Sequence, residues 1–453
     1  MKRIILYTFL LVSLTAIEIG GEEISGDAET LNLKLDLQRQ EIEYLRARSH
    51  DLEQQLRHYQ LQEKVDELQK EVSRIRGLPV REPLTTDFLS SKEIPAYLER
   101  EIKRQYPGDY FDSYQEVLIR LGFLPDETDI LELLTGLYQE QAAGFYDDKS
   151  KKFFIIEEFN LNETVANIIL SHEICHALQD QNFSMEDMNL FRQDNDDAAY
   201  AILSVLEGDA TLLMSEWFRD HFSIGSLFQL LSMMGVDQTN FNNAPYFLQQ
   251  LMIFPYIQGS MFLTYVIGQR GMEGRDLPFR SPPRSTEQII HPEKYLSQID
   301  LPSTVTVPDY TAKLGQGWER KYENTFGEMG FKLLFEQYVG TGGGFRAAAG
   351  WDGDRYVLYH EGPNRYFICW DSVWDSTKDA QEAAKALRTV MMARYPSLVE
   401  VAGGDLWLAG SRPDSDGDSP VFVGVLRDND RLYLKLTNDD NVSGILRSRP
   451  SLK

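Results

Sequence analysis

Residues 162–180 read NETVANIILSHEICHALQD, and inside them stands His172-Glu173-Ile174-Cys175-His176. Two histidines four positions apart lie one turn above each other on a single helical face. That spacing lets both imidazoles reach one metal ion at the roughly 2.0–2.1 Å that zinc prefers. Glu173 follows the first histidine and points beside such an ion, where it can take a proton from an attacking water. The pattern is HExxH on a helix. Its surroundings predict that helix: Asn162 is an N-cap with Glu163 in the first turn. Val165, Ile168, Ile169, Leu170, Ile174 and Leu178 supply apolar faces around the histidines. The competing account is a pair of hydrogen-bonded core histidines with Glu173 as a surface charge.

A catalytic zinc site takes three protein ligands. The continuation HExxHxxGxxH requires Gly at 179 and His at 182, and the chain has Gln179 and Asn182, which excludes that class. Glu207 is the better candidate, because residues 197–219, DAAYAILSVLEGDATLLMSEWFR, are apolar on nearly all sides around it. A carboxylate in such a helix must be paired, since burying it alone is costly. Its partner is either a cation held by His172 and His176 or a basic side chain such as Arg192. Gly208 and Ala210 beside it would let this helix approach the HExxH helix closely. Asp180, Asp194, Asp196, Asp197 and Asp209 are alternative ligands, with Asp209 suited to support a histidine from behind.

HExxH followed by a glutamate on a later helix resembles the gluzincin branch of the zincin metallopeptidases. The phrases EQAAGFYDDKSKKFFI, SHEICHALQDQNF, VLEGDATLLM, PYIQGSMF, PPRSTEQIIHPEKY and AAAGWDGDRYVLY more closely resemble a group of uncharacterised secreted or envelope-associated bacterial metallopeptidases. The resemblance runs from about residue 76 to about residue 395. It implies a zincin-like catalytic domain, Zn2+ on His172, His176 and Glu207, Glu173 as catalytic base, and hydrolysis of a peptide or protein substrate. Cys175, at the last variable position of the motif, is unusual for a zincin. Two readings from other classes stand beside this one. They are a catalytically inactive metal-binding scaffold and an envelope interaction protein that oligomerises through its N-terminal helix.

The 453 residues suffice for two or three domains. A net charge of −25 repels nucleic acid and anionic membrane surfaces and argues against both as partners. Residues 1–16 begin with Lys2 and Arg3, and an apolar run covers 4–17. Fourteen residues are short for a membrane span and right for an export signal or N-terminal anchor, assigned to 1–24. The expected location is periplasmic or extracellular. No later segment is expected to span a bilayer, because the apolar pieces between 227 and 267 are broken by Gly and Pro. Residues 29–76 lack Pro and Gly. Leu35, Ile42, Leu45, Leu52, Leu56 and Tyr59 form a heptad seam interrupted by Gln38 and Ser49, and the register slips near Tyr59 into Leu61, Val65, Leu68, Val72 and Ile75. This predicts a coiled coil over 25–77 that makes a homo-oligomer, or else one long helix folded back as a brace.

The overall expectation is an α+β protein, mainly helical, with the catalytic domain over 78–310 and a smaller α+β region over 311–453. Helices are expected at 90–106, 109–124, 126–141, 226–234, 246–269, 324–338 and 379–395, with a hairpin about 147–150 just ahead of the HExxH helix. In zincins a strand in that place lines the cleft and pairs with extended peptide. Residues 281–295 read as a Pro-rich loop with a short helix, and 340–344 as a glycine turn. Strands are expected at 355–360, 366–374, 405–411, 421–426 and 432–436. Tyr256, His291 and His221 are candidate donors to the transition state. Asp352-Gly353-Asp354 and residues 414–418 look like calcium-loop fragments, but turn chemistry explains them better. Cys175 and Cys369 are the only cysteines, so disulfides do not staple this fold.

Overall fold

The computed structural model describes residues 28–90, 92–106, 108–141, 144–156, 164–190, 192–221, 239–402, 406–410 and 420–447. The leader, the Asn162 cap, the helix at 226–234 and the acidic run 414–418 lie outside the described residues. The chain divides into two compact units, Met1–Leu61 and Gln62–Lys453. Helices of eight residues or more are numbered in chain order.

Helix α1, Ala28–Arg76, runs through both units without interruption. In the first unit its seam side chains are exposed. In the second, Val65, Leu68 and Val72 are 0–6% exposed. The change of phase near Tyr59 thus separates an exposed stripe from a buried one.

Strand β1, Thr85–Leu89, was not expected: a five-residue segment close behind Pro83 carries too little periodicity to announce itself. It pairs in parallel with β3, Lys152–Ile156, which also pairs antiparallel with β2, Gly144–Asp147, in the order β1-β3-β2. Between them stand α2 (Ile94–Gln105), α3 (Tyr110–Leu121) and α4 (Ile130–Gln141). Each begins one to four residues after its expected start.

Three long helices follow the hairpin: α5, Thr164–Phe183, α6, Asp196–Asp220, and α7, Tyr246–Arg270. Asn195 caps α6 by accepting from the Ala198 amide at 2.9 Å. Contrary to expectation, α6 and α7 are long and apolar enough, by length and composition, to cross a membrane. The sequence places one helix over 246–269, kinked near Pro255 and Gly259, and α7 runs unbroken through both. Helices α6 and α7 pack against each other at one close crossing, so Gly208 serves the approach of α7 and not, as expected, that of the HExxH helix. A Cβ on Gly208 would lie 2.2 Å from the Gly259 carbonyl carbon, and one on Gly259 would lie 1.9 Å from Ser204 O. Only glycine admits backbones at that separation.

The C-terminal part forms a seven-stranded antiparallel sheet in the order β4-β5-β6-β10-β9-β8-β7. Its strands are β4 Trp318–Asn324, β5 Trp351–Glu361, β6 Arg365–Trp374, β7 Val399–Ala402, β8 Leu406–Gly410, β9 Phe422–Asp428 and β10 Arg431–Thr437. Helices α8, Gly327–Val339, and α10, Thr377–Arg394, cover one face. The 340–344 segment is not a turn but the start of helix α9, Thr341–Ala348. One of its glycines serves contact: a Cβ on Gly344 would meet Glu336 N at 2.4 Å. Asp352-Gly353-Asp354 likewise lies inside β5 rather than in a loop, with a register shift between Trp351 and Gly353. Strands β4 and β7 were not anticipated.

One apolar core joins these parts. Val205 and Leu206 of α6, Phe247 and Phe262 of α7, Phe331 of α8 and Trp351, Tyr356, Trp370 and Trp374 of the sheet belong to it. Phe331 stacks on Trp370 with ring centroids 4.2 Å apart. The opposite sheet face buries Tyr310, Trp318, Tyr359, Phe367 and Cys369. The protein is α+β and mainly helical, with a long N-terminal helix and a C-terminal sheet.

Candidate metal centre

Helices α5 and α6 bring His172, His176 and Glu207 together. His172 Nε2 lies 3.1 Å from Glu207 Oε2 and 3.1 Å from His176 Nε2, and His176 Nε2 lies 3.4 Å from the same carboxylate oxygen. Atoms bound to a tetrahedral ion at ~2.0–2.1 Å stand about 3.3–3.4 Å apart, so the three atoms have the spacing of ligands around a common centre. Two imidazole nitrogens and one carboxylate are also the donor set zinc takes in catalytic sites. Side-chain exposure of 11–14% leaves an approach from solvent.

Glu173 sits beside this cluster on the next helical position, and its Oε2 accepts from the Tyr146 amide of β2 at 3.2 Å. Burial raises its carboxyl above the usual range, against the pull of His172 and His176. Burial also pushes Glu207 up, but the charge of His176 and hydrogen bonds from both imidazoles outweigh it and hold Glu207 well below the usual carboxylate range. His176 answers in kind. Burial lowers its pKa, yet Glu207, Glu173 and Gln179 together push it up to about 9.

A polar support lies behind His176. Its Nδ1 meets Gln179 Oε1 at 2.9 Å, while Gln179 Nε2 donates to Asp209 Oδ2 at 2.9 Å and to Leu206 O at 3.1 Å. The amide nitrogen has two acceptors, so the oxygen must face the ring. His176 therefore donates from Nδ1, and Nε2, which faces the cluster, is the ring nitrogen that would give up its proton to bind a metal ion. Asp209 in turn accepts from Arg76 Nε at 2.7 Å and Arg275 Nε at 2.6 Å. Burial alone would raise the Asp209 carboxyl, and the two guanidinium groups hold it below its usual value. Asp209 thus acts on a histidine only through Gln179. Gln179 was read only as a negative, the residue that replaced glycine. Its spacing of three from His176 places it on the same face, the signal that could have found it. Arg76 and Arg275 carry no local sequence signal for this role.

The other candidates separate clearly. The Tyr256 ring stacks near His172, with centroids 5.9 Å apart and planes at 20°, and is 41% exposed. His221 stands fourteen residues beyond Glu207 on the same helix, about 21 Å along its axis. There it stacks on Trp217 and meets Glu71 at 3.1 Å. His291 is taken up by the buried Glu328 at 2.9 Å. Neither histidine joins the cluster. Arg192 pairs with Asp194, not with Glu207. Asp180 accepts from Tyr146 Oη and Lys151 Nζ, and Asp197 accepts from Thr286 at the far end of α6. Cys175 is fully buried, which pushes its thiol well up, and it faces Asp209 at 3.7 Å. Cys175 and Cys369 are both free. A second acidic group, Glu287, Asp300 and Asp375, already surrounds the Lys294 ammonium at 2.6, 3.0 and 2.8 Å.

The family described as a domain of unknown function (DUF8575) matches residues 312–421. That stretch covers much of the sheet and helices α8 to α10 and contains none of the cluster residues. No curated protein and no solved structure matches the chain.

Proposed function

We propose that the protein is a zinc-dependent metallopeptidase of the gluzincin type, with a zincin-like arrangement of α5, α6 and the β1-β3-β2 sheet. The observation that carries this reading is the convergence of His172 Nε2, His176 Nε2 and Glu207 Oε2 at 3.1–3.4 Å, with Glu173 beside them. These three side chains would hold Zn2+, which when bound polarises a carbonyl and lowers the pKa of water.

The remaining steps fall to the chain itself. Glu173, its carboxyl raised by burial, takes the proton of the attacking water and passes it to the leaving amine, a role typically worth about a hundred- to ten-thousandfold in rate. Tyr256, exposed and next to His172, is placed to donate to the developing oxyanion. Strand β2 is an edge of its sheet, and its Tyr146 amide touches Glu173. An extended peptide adding to that edge would pass the base with its scissile bond.

Metal analysis of wild type beside Glu207→Ala, together with turnover of a denatured protein substrate by wild type and Glu173→Gln, tests the proposal. Expected are about one zinc per chain in wild type, zinc lost in Glu207→Ala, and zinc kept without turnover in Glu173→Gln. Wild type without zinc, or undiminished turnover by Glu173→Gln, would refute it. Zinc without turnover in wild type would instead favour the inactive scaffold.

A further inference from the structure

The first unit offers an apolar stripe with a decided pattern. Leu35, Ile42, Leu45, Leu52, Leu56 and Tyr59 on α1 are 45–67% exposed, and all fall on the a and d positions of one heptad frame. The a positions are Leu35, Ile42, Ser49 and Leu56, and the d positions are Gln38, Leu45, Leu52 and Tyr59. Leu33, Leu37 and Tyr44 are also exposed and lie off this seam, but six large apolar residues in one a/d frame are rarely kept on a solvated helix without a partner. We propose that residues 35–59 pair with the same residues of a second copy of this chain as a parallel, in-register, two-stranded coiled coil.

The flanking charges decide the direction. In a parallel pair each g residue faces the e residue five positions on in the neighbour. Glu41 then meets Arg46, Arg48 meets Glu53, and Gln55 meets Gln60, each twice by symmetry. Only the outermost pair, Lys34 with Arg39, is repulsive, and it sits at the end of the seam. An antiparallel pair matching the same stripe, residue 35 opposite 59, gains Arg39 against Glu53 but sets Arg46 against Arg46 and Arg48 against Arg48 at its centre, whereas the parallel pair gains two kinds of opposite-charge contact. The contact between Arg48 and Asp51 within the helix, 2.6 Å and exposed, is too weak to offset that.

Register and number follow from the same positions. Ser49 at a and Gln38 at d face their own copies only when the helices are unshifted. A slip of one heptad buries each against Leu or Ile. Ile42 is the one β-branched residue among the a positions, and with Leu45 and Leu52 at d it is the position that favours two strands. The seam must end at Tyr59, because Val65, Leu68 and Val72 are already buried in the second unit. What remains is about 36 Å of helix, near three and a half heptads.

The full chain should sediment at twice its monomer mass. Leu45→Cys should cross-link to itself on mild oxidation, since Cys175 and Cys369 are fully buried. An equimolar mixture of Leu35→Cys and Tyr59→Cys should give no mixed cross-link. The double variant Leu45→Asp, Leu52→Asp should fall to monomer mass, and Glu41→Arg should weaken the dimer, with Arg46→Glu added to it restoring self-association. A wild-type mass of one or three chains, or 35-to-59 cross-links in place of 45-to-45, would overturn the proposal. Melting of the second unit at an unchanged temperature in the aspartate variant separates a lost interface from general misfolding.

Discussion

Replacing Gln179 by leucine removes the support behind His176 while changing little volume. Gln179 is 1% exposed and holds His176, Asp209 and Leu206 O at 2.9, 2.9 and 3.1 Å, with Cys175 Sγ a weaker acceptor at 3.5 Å. In the variant, Asp209 keeps Arg76 and Arg275, and Leu206 O remains within its helix. The His176 Nδ1–H is the group left without a partner. A buried donor so stranded costs about 1–3 kcal/mol, and leucine recovers part of this by burying apolar surface. The larger effect falls on the site, because nothing then fixes which ring nitrogen carries the proton or which way the ring faces. Loss of such support costs about 10- to 100-fold in metal affinity, or about 1.4–2.7 kcal/mol.

Zinc titration against a chromophoric chelator reads that loss directly, with far-ultraviolet circular dichroism confirming that the fold persists. Gln179→Glu supplies the control. It keeps an acceptor toward His176 but sets a carboxylate where the amide now donates to Asp209. Affinity should stay near wild type while stability falls, since two carboxylates at that distance cannot both ionise. Zinc affinity within about twofold of wild type in a folded Gln179→Leu protein, well short of the range for lost support, would refute the reasoning. The tautomer would then be held by something other than this amide.

Gly259→Ala should lower the melting temperature, because its Cβ would sit 1.9 Å from Ser204 O and overpacking typically costs about 1–3 kcal/mol; an unchanged melt would show that the helices part freely. Chelation of zinc should destabilise the fold by about 4 kcal/mol relative to free zinc at 1,000 times the dissociation constant, read as a lower melting temperature, and no change would count against a resident metal. In chelator, stability should rise as pH falls from about 8 to about 5. Asp197 and Asp371 are both pushed up to about 7, chiefly by burial, so the folded chain holds protons that the unfolded chain, near 3.9, has released. Their stabilisation is complete at low pH and is lost as pH rises through 7. Asp371→Asn should flatten that slope, and melting temperatures that fall steadily from pH 8 to 5 would contradict the assignment.

Where the sequence and the structure agree, the information was local. HExxH needs only helical periodicity to place two imidazoles together, and Glu207 stands out because a carboxylate in an apolar helix requires a partner. The hairpin at β2 and β3 and the strands β9 and β10 announce themselves by alternation and a turn, with Asn429 taking the left-handed φ of +56°. Other features depend on partners distant in the chain. Strand β1 exists because β3 pairs with it. The glycines of α9 look like a turn until Glu336 is seen to occupy the space a side chain on Gly344 would need. Histidines 221 and 291 looked equivalent to Tyr256 as donors, and only packing shows that Glu71 and Glu328 occupy them.

The support of the proposed zinc site is the strongest instance of that dependence. Asp209 carries one negative charge between Arg76 and Arg275, which are 5% and 1% exposed, and these come from the last turn of α1 and the segment after α7. Breaking such a buried group by removing one partner costs about 3–5 kcal/mol, so Asp209→Ala should cripple folding before any effect on zinc is measured. Asp209→Asn keeps the shape but removes the charge that both guanidinium groups face. If it folds, His176 should still bind through Gln179, at reduced stability. The proposed ligands are therefore specified by one short motif and one glutamate. Their rigidity is specified by residues 76, 209 and 275, which no reading of either helix alone would connect.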